Sequence, residues 1–190
     1  MKYPSLLISS FSLLLALSAS NLHAEEHEQH GAHEHGVATL AVAVGTEGVE
    51  ITLESPAANI VGFEHVPSSD ADKETLDDAV KKLEAGDELF TLNPEAECQL
   101  QDTEVLSALL GDEMPAEHEH EHQQEAEAAH NDMDIAWSYA CAKPTELKEV
   151  AVKLFAAFPN GFQHLKAEWV TEKGASAMEL TQDTTLTLTP

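Results

Sequence analysis

Arginine does not occur in this chain. All nine basic residues are lysine, set against 35 aspartates and glutamates, for a formal charge of −26 at pH 7. Nucleic-acid recognition needs a basic face, so polyanions are excluded as partners, while the field of the whole molecule favours cations. Long apolar runs are also scarce. Beyond Leu6 to Leu17, no stretch approaches the ~20 residues a membrane helix requires, so the product is expected not to be membrane-embedded. Cysteine is limited to Cys98 and Cys141, which excludes a thiolate cluster. In an exported chain an even count reads as a disulfide. Closing that loop is worth about 4 kcal/mol on the chain-entropy account. Neither a Walker pattern nor a G-x-S-x-G elbow is present, and Cys141 leads into Ala-Lys-Pro-Thr rather than a blue-copper ligand set.

Export follows from the start of the chain. Lys2 gives a positive n-region, Leu6 to Leu17 an apolar core, and Leu22-His23-Ala24 a small-residue end, so residues 1–24 read as a signal peptide. Cleavage is expected after Ala24, with Ser20 as the alternative. The mature chain loses Lys2 and becomes one unit more negative. It is long enough for one domain with a proper core and too short for two.

Residues 25–36 are acidic, rich in histidine and without an apolar period, which predicts a mobile arm. From Val37 the pattern alternates through Val44, turns at Gly45 to Gly48 and alternates again through Leu53, predicting a β-hairpin. Residues 55–70 read as a structured loop punctuated by Pro56, Gly62 and Pro67. A helix is expected next, capped by Ser69 or Asp70, with Leu76, Ala79, Val80 and Leu83 on one stripe and Gly86 as the stop. A strand over 97–109 carries Cys98, with Cys98, Leu100 and Asp102 on one face. Residues 111–131 form a second acidic, histidine-rich insertion. "MDIAWSYAC" alternates as a strand ending at Cys141, so the disulfide is expected to staple two strands at the neck of that insertion. Residues 147–158 fit helix or strand, and the valine alternation favours strand. A hairpin turning at Lys173-Gly174 and a final strand, "TTLTLT", complete the chain. The sum is an α+β fold over 37–190: a mainly antiparallel sheet with one main helix packed on it.

The histidines carry the chemistry. "HEQHGAHEHG" over 27–36 holds His27, His30, His33 and His35, and "HEHEH" over 118–122 holds His118, His120 and His122. Imidazole binds metal as the neutral base and is mostly neutral at pH 7. An i, i+2 spacing on extended backbone puts alternate rings on one side, where they can share one ion. Interleaved glutamates add oxygen donors. Nitrogen and carboxylate without thiolate suit Zn²⁺, then Cu²⁺ or Ni²⁺. Solubility alone gives no reason for every histidine except His23 to lie beyond the signal peptide. Among the scattered histidines, His65 is a candidate ligand, and His130 with Asp132 sets nitrogen and oxygen on one face of a strand start. His164 reads as an ordinary surface histidine. Cleavage after Ala24 would also leave Glu25-Glu26-His27 as a terminal amine with histidine at position three, a square-planar set for Cu²⁺ or Ni²⁺.

"HEHGVATLAVAV" (33–44), "ITLESPAANIVGFEHVP" (51–67), "AEC" at Cys98, "HND" and "SYAC" before Cys141, and "LFAAFPN" through "HLKAEWVTEKGASAMELT" together resemble the ZrgA-type periplasmic zinc-uptake proteins. The resemblance covers nearly all of the mature chain. It implies a periplasmic protein that binds Zn²⁺ and assists its import, beside an inner-membrane transporter component. By position, His33, His35, His65 and His130 match the family's histidines, and Cys98 and Cys141 its cysteine pair. The expected function is therefore zinc binding rather than catalysis. A copper or nickel buffer and a zinc-dependent hydrolase stand as alternatives.

Overall fold

The computed structural model describes residues 34–111 and 131–188. The expected signal peptide, most of the arm and nearly all of the insertion lie outside the described residues.

The first hairpin forms as the alternation predicts. Val37–Val44 (β1) pairs with Gly48–Pro56 (β2), Leu40 opposite Leu53 and Val42 opposite Ile51. The segment read as a plain loop contains a helical turn, Ala58–Val61 (α1). Its burial of Ile60 and Val61 against the core overrides the turn signals around it. Asp70–Glu84 (α2) is the main helix. Ser69 caps it: its hydroxyl accepts from the Asp72 N–H and the Asp72 carboxylate accepts from the Ser69 N–H, both at 3.1 Å. Leu76, Ala79 and Leu83 are its buried stripe.

A second turn of helix, Gly86–Leu89 (α3), leads into Phe90–Leu92 (β3) and then Cys98–Leu106 (β4). Asp132–Cys141 (β5) buries Met133, Ile135, Trp137, Tyr139 and Cys141 in strict alternation. The ambiguous stretch is both things in succession, Glu149–Val152 (β6) and then the turn Leu154–Ala157 (α4). His164–Thr171 (β7) and Gly174–Leu180 (β8) make the second hairpin, and Thr184–Thr187 (β9) is the last described strand.

Six strands form one sheet in the order β4-β5-β2-β1-β7-β8, and β3-β6-β9 form a second. All pairings are antiparallel except β1 with β7. The exception has a topological cause. β1 and β5 run in the same direction, and the connection through β6 and α4 returns the chain to the edge where both begin. β7 therefore enters parallel to β1. One face of the large sheet is buried, with Leu40, Ile51, Leu53, Trp137 and Leu165 at most 0% exposed. The small sheet and α2 cover it: Phe90 meets Trp137 edge-on at 4.9 Å, and the Trp137 indole N–H donates to the Leu83 carbonyl at 2.7 Å. A Cβ on Gly86 would lie 2.6 Å from Trp137 Cδ1, so only glycine lets the chain leave α2 across that ring.

Two expectations are corrected. The register of β4 shifts between Leu100 and Asp102, because Gln101 is an extra residue. Cys98, Leu100 and Asp102 therefore do not share one face as simple alternation requires. The disulfide does join Cys98 to Cys141, but not at the neck of the insertion. Those cysteines are opposite each other at the start of β4 and the end of β5, while the insertion leaves from Leu106 and returns at Asp132. In an antiparallel pair these are opposite ends.

Candidate metal centre

At the end of the large sheet where β1, β5 and β7 begin, the backbone is pinned by one buried side chain. Asn59 in α1, 3% exposed, accepts from the Gly36 N–H at 2.6 Å and donates to the Val37 carbonyl at 2.9 Å and to Ser55 Oγ at 3.1 Å. Both sides of Gly36 are thus held. Gly36 itself has φ +87, the left-handed region, and a Cβ there would meet Gln163 Nε2 at 2.7 Å. Its carbonyl accepts the N–H groups of Gln163 and His164, at 2.7 and 2.9 Å. His35, one residue before this anchor, is delivered to the sheet end by it.

The block after α1 supplies the other half. Gly62, with φ +83, ends α1 and turns the chain into Phe63, Glu64 and His65. The Phe63 and His65 rings stack at 4.8 Å. Glu64 Oε1 lies 2.9 Å from His35 Nε2, with the histidine side chain 66% exposed and the glutamate 19%. The Glu64 carbonyl also accepts from the Asn131 side chain. His65 Nδ1 is 3.2 Å from the Val66 carbonyl.

Asn131 and Asp132 bring the return of the insertion to the same place. The Asn131 carbonyl accepts from Ala57 N–H at 2.9 Å, and the Asp132 carbonyl accepts from Ser107 Oγ at 2.7 Å. Asp132 pairs with Pro56 at the end of β2.

Of the sequence-derived ligands, His35, His65 and Asp132 are described at this end. His27, His30, His33, His118, His120, His122 and His130 lie outside the described residues. Among the described residues no three histidine, cysteine, aspartate or glutamate side chains gather closely enough to hold a metal ion. The described donors fit Zn²⁺ in kind, imidazole nitrogen and carboxylate oxygen, but not in number, since a zinc site takes three or four protein ligands. Both cysteines are in the disulfide, so no described thiolate competes.

Sequence reasoning missed Glu64, Asn59 and the position of His164. Glu64 directly precedes the flagged His65, but its loop has no period to read. His164 opens β7 opposite Val37, and its Nδ1 is 2.6 Å from Glu179 Oε1. The outer face beside this end is acidic: Asp134, Glu54, Thr39, Lys166 and Glu179 follow one another across the strands.

The geometry defines a disulfide-bonded α+β domain that brings imidazole and carboxylate to one end of a sheet, in a chain whose charge draws cations. The chain belongs to the ZrgA family of zinc uptake proteins, whose profile matches residues 32–188. No curated protein matches it. Membership assigns it to zinc uptake and associates it with zinc. Among the described residues no helix is long and apolar enough to cross a membrane.

Proposed function

We propose that the protein is a periplasmic zinc carrier, exported by residues 1–24, which captures Zn²⁺ and passes it to an inner-membrane transporter component. The mature chain is read as a histidine-rich arm over 25–36, whose last residues are held at Gly36 rather than mobile, and one domain over 37–190 with an insertion at 111–131. The observation that carries the reading is convergence. Residue 34, the first described residue of the arm, and residue 131, the last of the insertion, are held at the sheet end that carries the His35–Glu64 pair. In this reading His27, His30, His33, His118, His120, His122 and His130 join His35, His65 and Asp132 in one shared site or several weak ones. Ligands drawn from separate segments of the chain suit an ion that must be released as well as caught.

The test is a zinc titration. Replacing His118, His120 and His122 together lowers the bound stoichiometry; an unchanged stoichiometry removes the insertion from the site. Growth of a deletion strain separates uptake from the alternative of a copper or nickel buffer, because an uptake protein matters when zinc is scarce and a buffer when metal is toxic. Copper outcompetes zinc at most nitrogen sites, so affinity alone does not decide between them.

A hydrolase reading attaches to one detail. His118 to His122 spells H-E-x-x-H, which serves zinc hydrolysis when a helix puts the outer histidines on one face. The histidine between them, His120, has no part in that chemistry, whereas an alternating run on extended backbone uses all three. Family membership supports carriage. Peptidase activity lost in Glu119→Gln would favour the hydrolase.

A further inference from the structure

We infer that Glu64 is the positioning carboxylate of the zinc site: it holds the Nε2–H of His35, so that His35 binds the ion through Nδ1. The inference rests on the zinc-binding reading above and specifies which atom of this end does the work.

The tautomer follows from the pair. Glu64 Oε1 and His35 Nε2 are 2.9 Å apart. An ionised carboxylate can only accept, so the hydrogen between them belongs to Nε2. In a neutral imidazole with Nε2 protonated, the lone pair available to a metal is on Nδ1. Metal-bound histidines commonly donate their second ring N–H to a carboxylate, which fixes ring orientation and raises ligand basicity.

The surroundings say which partner orients which. Glu64 is the more buried member, 19% exposed against 66% for His35. Its main chain is held by Asn131, and its neighbours Phe63 and His65 stack on each other. On the other side Asn59 and the β7 N–H groups fix the backbone at Gly36, leaving the His35 ring to turn about its own side-chain bonds. The carboxylate is therefore the fixed point and the imidazole the group it aims. If Glu64 instead bound zinc directly, the pair would have to break on loading.

The experiment is a zinc titration of the ¹⁵N-labelled protein, following each histidine by long-range ¹H–¹⁵N correlation. The expected result is that His35 loads with Nδ1 metal-bound and Nε2 protonated. Glu64→Ala should raise the zinc concentration at which the His35 signals move by about 10- to 100-fold. Glu64→Gln, which keeps an acceptor oxygen, should lose less, and it serves if the alanine variant fails to fold. His35 binding through Nε2, or both Glu64 variants loading at the wild-type concentration, overturns the inference while leaving zinc binding at His35 intact. If His35 signals do not respond to zinc in the wild-type protein, the zinc reading of this end fails, and the inference with it.

Discussion

The β4–β5 pair is closed differently at its two ends. At one, Cys98 and Cys141 sit opposite each other and are covalently joined. At the other, where the insertion leaves and returns, the ties are hydrogen bonds: Ser107 to Asp132, Ala57 to Asn131, Asn131 to Glu64. A covalent link keeps its geometry whether or not a cation is present. Hydrogen bonds worth about 1 kcal/mol each can be rearranged when a ligand repays the change. The division places rigidity away from the histidines and removes both sulfurs from any contest for the metal.

The largest effect on that contrast should come from its covalent end. Replacing Cys98 and Cys141 with alanine is expected to lower stability by up to about 4 kcal/mol, read by urea unfolding. Zinc stoichiometry should not change. A loss of zinc would mean that the two ends are coupled.

Asn59→Ala attacks the other end. It leaves the Gly36 N–H and the Val37 carbonyl without their side-chain partner, a cost of about 2–3 kcal/mol by the same measurement. Unlike loss of the disulfide, it should also weaken zinc binding at His35, because the turn that delivers His35 is no longer held.

A change at the start of α2, four residues beyond His65, is expected to have the smallest effect on stability. Ser69→Ala removes the side-chain cap of α2 and should cost about 1 kcal/mol, read by the same urea unfolding. The capping box also has a pH signature. The Ser69 N–H and hydroxyl hold the Asp72 carboxyl below its usual value of 3.8. A lowered folded-state value means that this contribution is complete above that pH and fades as pH falls through the lowered value. Unfolding in acid should show the fading in the wild type and a smaller part of it in Ser69→Ala, which keeps the backbone N–H of residue 69 and loses only the hydroxyl.

Much of the scaffold was legible because it is periodic. The alternations at 37–53 and 133–141, the stripe of α2 and the hairpin turn at Gly174 all survive in the structure. The small sheet was legible only in part: β6 and β9 fall where strands were expected, but β3 has three residues and no alternation to count. The disulfide partners were readable but not their end of the hairpin, which depends on where the strands stop. At the site, spacing singled out the histidines. Nothing in spacing pointed to Asn59, whose role arises from three backbone and side-chain partners far apart in sequence. Glu64 likewise acquires its role only when Gly62 turns its loop toward His35.

The central claim is that the histidine end, and not the disulfide end, gathers zinc. Its most direct test is a competition titration of the purified exported form, stripped of chelator, at neutral pH, with bound metal measured by mass. The account predicts tight zinc retention that falls when the histidines at 118, 120 and 122 or at 33 and 35 are replaced and persists when Cys98 and Cys141 are. Binding no stronger than micromolar, or zinc retained in full without those histidines, would contradict it.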